Sequence, residues 1–147
     1  YDVVKAVLEQ LGMLRWSQVA IKPAKPLAFG VLRGTPLFGL PGNPVSSHVS
    51  FELFARPALR KMMGHTVLDR PVVDAVAAAP MRRRADGKVY FDRVRVWYED
   101  GRYLAERSGA QVSNALAGMA SANGLAVLPD GPGADAGEVI KVVLLDH

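Results

Sequence analysis

The sequence predicts two successive folding units: an α/β unit over residues 1–67 and a small β-barrel-like domain over residues 68–147. In the first unit, helical spacing of apolar residues alternates with short apolar strands. From Pro71 onward, strands separated by turns replace that alternation. The α/β unit contains too few strands to bury a sheet on both faces. We therefore expect it to need a preceding part of a longer chain, or a partner, for stability.

Residues 2–11 are predicted to form an amphipathic helix, with Asp2 at its N-terminal end. A carboxylate there suits a helix cap, but it could equally bind a metal or a substrate. Residues 19–21 are predicted to form a short strand. The next segment, Lys22-Pro-Ala-Lys-Pro, is predicted as a stiff extended loop, since proline continues neither a helix nor a central strand. Its lysines, Lys22 and Lys25, form either a solvated basic loop or a clamp for an anion.

Two short strands over residues 27–32 and 36–40 are predicted to form a hairpin. A helix is predicted over residues 43–63, because apolar residues recur there at helical spacing. Proline lacks the N–H that a helix interior needs, so Pro57 should kink this helix or divide it. Gly64 should end it.

The turn between that hairpin and that helix contains Pro41, Gly42, Asn43 and Pro44. Asn43 suits the N-cap position, since its side-chain oxygen can accept a backbone N–H of the first turn. Pro44 suits the first helical position, where its missing N–H costs nothing. Free N–H groups and the helix dipole favour anions at such an end. The alternative interpretation is a well-capped helix start without a ligand.

The second unit is predicted to contain about five short strands and one small helix. Residues 89–98 show the twofold alternation of a long strand, and a hairpin turn follows at residues 99–102. The three arginines at residues 82–84 are predicted to lie in an exposed, solvated loop. The small helix is predicted over residues 113–120. These elements together are typical of a barrel or a sandwich.

Composition excludes several classes of function. The absence of cysteine removes disulfides, thiolate nucleophiles and cysteine-bound zinc, and it fits a cytoplasmic protein. No apolar stretch is long enough to span a membrane. The net charge of +4 is concentrated in residues 1–68, which carry eight Lys and Arg against three Asp and Glu. Because no basic–aromatic stripe accompanies this charge, it suits an anionic small molecule better than a nucleic acid.

Several short segments form a specific combination: Tyr1-Asp2-Val-Val-Lys, Lys22-Pro-Ala-Lys-Pro, Phe29-Gly, Gly39-Leu-Pro-Gly-Asn-Pro-Val-Ser-Ser, Phe91-Asp-Arg-Val and Gly109-Ala-Gln-Val-Ser. This combination resembles the C-terminal half of the molybdopterin molybdenumtransferase family, which includes bacterial MoeA and the gephyrin E domain. The resemblance implies a partial doubly wound, MogA-like molybdopterin-binding domain followed by a small β-barrel-like domain.

The resemblance also implies a reaction at the end of molybdenum cofactor biosynthesis. The family inserts molybdate into adenylylated molybdopterin and releases AMP, with a divalent metal, usually Mg²⁺. Its members are homodimers, and the molybdopterin adenylyltransferase is a further expected partner. The alternative is a scaffold role of the gephyrin type, in which a related domain anchors a partner protein. A third option is a pterin-binding relative with another chemistry, but such relatives generally lack the C-terminal β domain.

The resemblance assigns roles to individual residues of this sequence. The catalytic assignments are Asp2, Lys22 and Arg93, and Asp2 is also the expected metal ligand. The substrate-binding assignments are Lys22, Lys25, Pro41, Gly42, Asn43, Pro44 and Ser113. The sequence departs from the family pattern at Ala24 and Val112, where glycine is usual, and at Gln18, where some members carry a lysine. Because the upstream acidic residues and the Gly-Gly-Val-Ser loop of the family are absent, we expect the chain to be inactive alone.

Overall fold

A computed structural model describes residues 13–108 and 122–145, together with residues 7 and 10. Residues 7 and 10 are helical. Most of the helix predicted over residues 2–11, and all of that predicted over residues 113–120, lie outside the described residues. The predictions for Asp2 and Ser113 fall outside them as well.

The first part of the chain forms a three-stranded antiparallel sheet in the order β1–β3–β4. Its strands are β1 (Met13–Gln18), β3 (Pro26–Leu32) and β4 (Thr35–Gly39). The predicted hairpin is confirmed: Arg33 and Gly34 form a two-residue turn with φ angles of 49° and 82°. Positive φ at both positions matches the right-handed twist of the flanking strands.

The predicted strand over residues 19–21 is wrong. β1 ends at Gln18, and a separate strand, β2, comprises only Ile21–Lys22. The chain turns between them, because Val19 N–H donates to the Lys25 carbonyl at 2.9 Å and Ile21 N–H donates to the Val19 carbonyl. β1 itself was not predicted.

The helix after the hairpin is divided, as predicted for Pro57. α1 (Pro44–Ser50) passes into a π-helical turn over Phe51–Ala55, and α2 (Arg56–Met62) follows with Pro57 in its first turn. Arg56 N–H donates a hydrogen bond to the carbonyl of Phe51, five residues earlier in the chain. Pro57 follows directly, at a position where the missing N–H of proline interrupts no regular α-helical hydrogen bond. In the part of the chain that is described, no helix has the length and apolar character needed to cross a membrane.

The second part of the chain consists of strands. They are β5 (Val72–Ala77), β6 (Met81–Arg82), β7 (Val89–Glu99), β8 (Arg102–Arg107), β9 (Gly124–Leu128), β10 (Gly133–Ala134) and β11 (Val139–Leu144). Five of them pair in the cyclic order β7–β8–β5–β11–β9, and β9 pairs back with β7. The closed barrel confirms the prediction of a small β-barrel-like domain.

Strand β7 pairs with β8 on one side and β9 on the other, and its even-numbered residues from 90 to 96 are buried, as the sequence alternation predicts. Tyr90, Val94 and Val96 are buried in the main hydrophobic cluster of the barrel. The predicted hairpin turn after β7 is also confirmed, since Glu99 pairs with Arg102 across a two-residue turn. The regular alternation results because successive side chains of a strand face opposite sides.

The two parts of the chain are joined by strand pairing and by apolar packing. β2 pairs in parallel with the start of β7, with Ile21 opposite Val89 and Lys22 opposite Tyr90. A second hydrophobic cluster lies beneath this pairing: Ile21, Ala24, Val49, Leu125, Val143 and Leu145. Lys22 is thereby fixed next to a barrel strand. The exact division into units at residues 67 and 68 stays a prediction.

Candidate functional site

The loop that carries the two predicted lysines is closed on itself. Lys22 ends β2, and the peptide bond to Pro23 is cis. Val19 N–H bonds the Lys25 carbonyl, so the ends of the loop are tied together. Ala24 is buried and has a φ of 79°, a conformation that favours glycine. This conformation explains why a glycine is usual at that position in the family that the sequence resembles.

The start of α1 is capped as predicted. Asn43 Oδ1 accepts hydrogen bonds from Val45 N–H at 3.0 Å and Ser46 N–H at 3.2 Å, and Pro44 occupies the first helical turn. These two N–H groups were expected to be free for an anion, but the Asn43 side chain already accepts their hydrogen bonds. A ligand at this helix start would therefore meet side chains and the helix dipole rather than unpaired N–H groups.

A cleft of about 380 Å³ lies between the capped helix start, the lysine loop and the barrel. Its walls include Lys22, Asn43, Ser46, Tyr90, Asp92 and Arg107. The structure thus brings the predicted Lys22 and Asn43 together. The last three residues come from β7 and β8, and the sequence analysis assigned no function to any of them.

The other predicted residues are placed differently. Lys25 lines an adjoining groove of about 420 Å³ together with Asp86 and Lys88, and Lys22 borders both cavities. Pro41, Gly42 and Pro44 are absent from the linings of both the cleft and the groove.

Arg93 follows Asp92 on β7 and is only 2% exposed. Neighbouring residues of a strand face opposite sides, so Arg93 faces away from the cleft that Asp92 lines. Arg93 is absent from the linings of both the cleft and the groove.

The side chain of Lys22 is oriented by Tyr90. Lys22 Nζ donates to Tyr90 Oη at 3.2 Å and lies 4.8 Å from the centre of the tyrosine ring. Tyr90 Oη in turn donates to Asp86 Oδ2 at 3.1 Å. The ring also carries the Arg83 guanidinium, whose Cζ lies 3.9 Å from its centre. Cation–π contacts and hydrogen bonds thus place the ammonium group of Lys22 at the cleft wall.

The prediction of a solvated arginine loop at residues 82–84 is wrong for Arg83, whose side chain is 0% exposed. Its guanidinium donates to the carbonyls of Lys88, Leu128 and Pro129 at 2.6–2.9 Å. It also donates to the carboxylate of Asp130 at 2.9 Å. A buried guanidinium is stable only when its donors are paired, and folding of the barrel supplies these acceptors.

Asp86 stays ionised at the edge of this cluster. The hydrogen bond from the Lys88 ammonium, at 2.7 Å, is the main cause that lowers the pKa of Asp86 below its usual range. The hydrogen bond from Tyr90 acts in the same direction. Asp86 therefore remains an acceptor for the Tyr90 hydroxyl at neutral pH.

Removal of the Tyr90 hydroxyl tests this arrangement. We expect Tyr90→Phe to lower the free energy of unfolding by about 1–2 kcal/mol, because it removes two hydrogen bonds but keeps the ring beneath Arg83. Urea denaturation measures the change. Tyr98→Phe is the matched control, since Tyr98 is 64% exposed. Equal midpoints for the two variants would contradict this role of the hydroxyl.

Comparison with known proteins places the chain in a family. A family model described as a probable molybdopterin binding domain matches residues 1–61, and one described as the MoeA C-terminal region (domain IV) matches residues 74–145. The chain belongs to the MoeA family of molybdopterin molybdenumtransferases. The fold class predicted from the sequence, a partial MogA-like α/β domain followed by a small β-barrel, is confirmed.

Individual members of the MoeA family match nearly the whole chain. The molybdopterin molybdenumtransferase of Haemophilus influenzae is 33% identical over 148 residues, covering 99% of this chain and 37% of that protein. The molybdenum cofactor synthesis protein cinnamon of Drosophila melanogaster is 35% identical over 156 residues, covering 98% of this chain and 25% of that protein. The structure of a MoeA protein from Pyrococcus horikosii superposes with a TM-score of 0.81 at 28% identity, covering 99% of this chain and 35% of that chain. This chain therefore spans between 25% and 37% of the length of these three relatives.

Proposed function

We propose that the protein acts in molybdenum cofactor biosynthesis and inserts molybdate into adenylylated molybdopterin with release of AMP. The names of its relatives in Haemophilus influenzae and Drosophila melanogaster support this role. The observation that carries the proposal is the cleft, in which the ammonium group of Lys22 lies opposite the capped start of α1.

The chemistry of the cleft suits these substrates, because both are oxyanions. Lys22 can donate charge-assisted hydrogen bonds to an oxyanion. Its loop is closed by a backbone hydrogen bond and its side chain is oriented by Tyr90, so little conformational entropy is lost on binding. Lys25 offers a second ammonium in the adjoining groove. In this proposal Lys22 binds and orients the ligand, and the groove accommodates a further anionic part of it.

Magnesium was expected from the family resemblance. Mg²⁺ prefers one or two carboxylates together with phosphates and water. Within residues 13–108 and 122–145, no group of three or more His, Asp or Glu could bind a metal ion. The carboxylates are already paired, Asp92 of the cleft with Arg107 and Asp86 of the groove with Lys88. A magnesium requirement therefore stays a prediction, and it depends on Asp2.

The remaining predictions concern partners and roles that depend on more than the described residues. A homodimer, contact with an adenylyltransferase, a cytoplasmic location, a catalytic role for Arg93 and a substrate-binding role for Ser113 stay predictions. The gephyrin-type scaffold role is not favoured, since relatives of this chain are named as a transferase and as a cofactor synthesis protein.

Substitution of Lys22 tests the proposed function. We expect Lys22→Ala to weaken molybdate binding by about tenfold or more, because a hydrogen bond to a charged group contributes about 1.5–3 kcal/mol. Calorimetric titration of molybdate into the whole natural protein that contains this sequence measures the affinity. The control is Lys61→Ala, an exposed lysine on α2 outside both cavities. An unchanged affinity in the Lys22 variant would count against the proposal.

A further inference from the structure

We propose that Arg107 is a second oxyanion-binding residue of the cleft and that Asp92 limits its strength. This inference rests on the proposed function, since it takes the cleft as the ligand site. The ligand class is a tetrahedral oxyanion, which could be molybdate itself or the phosphate of the adenylylated substrate.

The first step of the argument is the geometry of the guanidinium. Arg107 is the last residue of β8 and pairs with Val94 of β7, two residues after Asp92. Its Nε and Nη2 donate to Asp92 Oδ2 at 2.9 and 2.6 Å, and Nη2 also donates to the Arg82 carbonyl at 2.7 Å. The side chain is therefore fixed in one orientation by its Nε edge and by Nη2.

The second step concerns the donor group that remains. Among the residues that the structure describes, nothing accepts a hydrogen bond from Nη1 of Arg107. The side chain is still 30% exposed, and it lines the same cleft as Lys22. A guanidinium has five N–H donors, and in this proposal the two on Nη1 bind the ligand. Because the other edge is already ordered, binding through Nη1 loses little side-chain entropy.

The third step is the charge of the cleft. Lys22 and Arg107 each contribute one positive charge, and Asp92 contributes one negative charge. The Asp92 side chain is only 10% exposed, so solvent screens its charge weakly. Asp92 consequently orients Arg107 and at the same time reduces its attraction for an anion.

A purely structural ion pair would behave differently when its partners are replaced. Replacing either partner would then change oxyanion affinity in the same direction, since each replacement would leave the other partner unpaired. The proposal instead predicts changes of opposite sign in oxyanion affinity. Arg107→Gln removes a donor and a positive charge, whereas Asp92→Asn keeps a side-chain acceptor and removes the negative charge.

The experiment is a calorimetric titration of molybdate, and separately of AMP, into the whole natural protein and its variants. For Arg107→Gln we expect affinity to fall by about tenfold or more, and for Asp92→Asn to rise by about threefold or more. The matched control is Arg95→Gln, an exposed arginine on β7 that contacts Trp97 and should change affinity by less than about twofold. A decrease confined to molybdate, or to AMP, identifies which oxyanion Arg107 binds.

A measurement on the unsubstituted protein covers the case in which a variant does not fold. Phenylglyoxal modifies accessible guanidinium groups, and peptide mass spectrometry locates the label. Bound molybdate or AMP should protect Arg107 from the reagent and leave Arg95 unprotected. Equal labelling of Arg107 with and without both ligands would overturn the inference.

The outcomes separate this inference from the proposed function. If Lys22→Ala weakens binding while Arg107→Gln does not, the inference fails and the proposed function stands. If affinity falls in both Arg107→Gln and Asp92→Asn, the pair is structural and the inference also fails. If the unsubstituted protein binds neither oxyanion, both fail together.

Discussion

Replacing Arg83 by methionine should lower the free energy of unfolding by about 3–5 kcal/mol. Methionine has a similar length but cannot donate to the acceptors that surround the guanidinium. The carbonyls of Lys88 and Leu128 would each lose the hydrogen bond from the guanidinium, and a hydrogen bond to a charged group contributes about 1.5–3 kcal/mol. The lost ion pair with Asp130 adds little to the decrease in stability, because Asp130 is 49% exposed and water can replace the contact.

This substitution should affect the cleft as well as the barrel. Arg83 stacks on the Tyr90 ring, and the Tyr90 hydroxyl accepts a hydrogen bond from Lys22. We therefore expect a weaker affinity for molybdate in addition to the lower stability. Urea denaturation and calorimetry measure the two effects. Arg84→Met, at the exposed neighbouring position, is the control. A change in stability as small as that of the control would show that the buried guanidinium is dispensable.

Replacing Glu52 by alanine should lower the free energy of unfolding by about 2–4 kcal/mol. Glu52 lies in the π-helical turn and is 8% exposed. Its carboxylate accepts hydrogen bonds from Arg70 Nε at 2.9 Å and Nη2 at 3.2 Å, and its Oε2 lies 3.7 Å from Arg56 Nε. Without it, two partly buried guanidinium groups would lose the carboxylate that both of them contact.

The electrostatics of Arg56 support this expectation. Burial, followed by repulsion from Arg70, lowers the pKa of Arg56, while the Glu52 charge acts in the opposite direction. Arg56 also donates to the Leu68 carbonyl at 3.1 Å, so the cluster connects the helix to the segment that leads into the barrel. Thermal or urea denaturation measures the loss, with Glu106→Ala on β8 as the control. Glu52→Gln should give an intermediate value, because the amide keeps one acceptor and loses the charge. If Glu52→Ala and the control were equally stable, this account of the cluster would be wrong.

The features that the sequence predicted well depend on local chemistry. The Arg33–Gly34 turn, the Asn43 cap and the Pro57 interruption each follow from residues within a few positions of one another. The same holds for the alternation along β7, which is set by its own residues. The family resemblance supplied Lys22, which the structure places at the cleft.

The features that were missed depend on pairing between distant residues. Lys22 and Tyr90 are 68 positions apart, and Arg83 and Leu128 are 45 apart. A run of three arginines has the composition of a solvated loop, and only the closed barrel surrounds the middle one with acceptors. β1 was missed because a strand at the edge of a sheet is defined by its partner as much as by its own residues. The Asp92–Arg107 pair could have been suspected, since opposite charges on adjacent predicted strands often meet.

The short parallel pairing of β2 with β7 holds the Lys22 wall of the cleft against the barrel. A hinge motion between the two walls would break the hydrogen bond from Val89 N–H to the Ala20 carbonyl and expose the apolar cluster beneath it. A ligand that binds in the cleft would therefore meet walls that keep their separation.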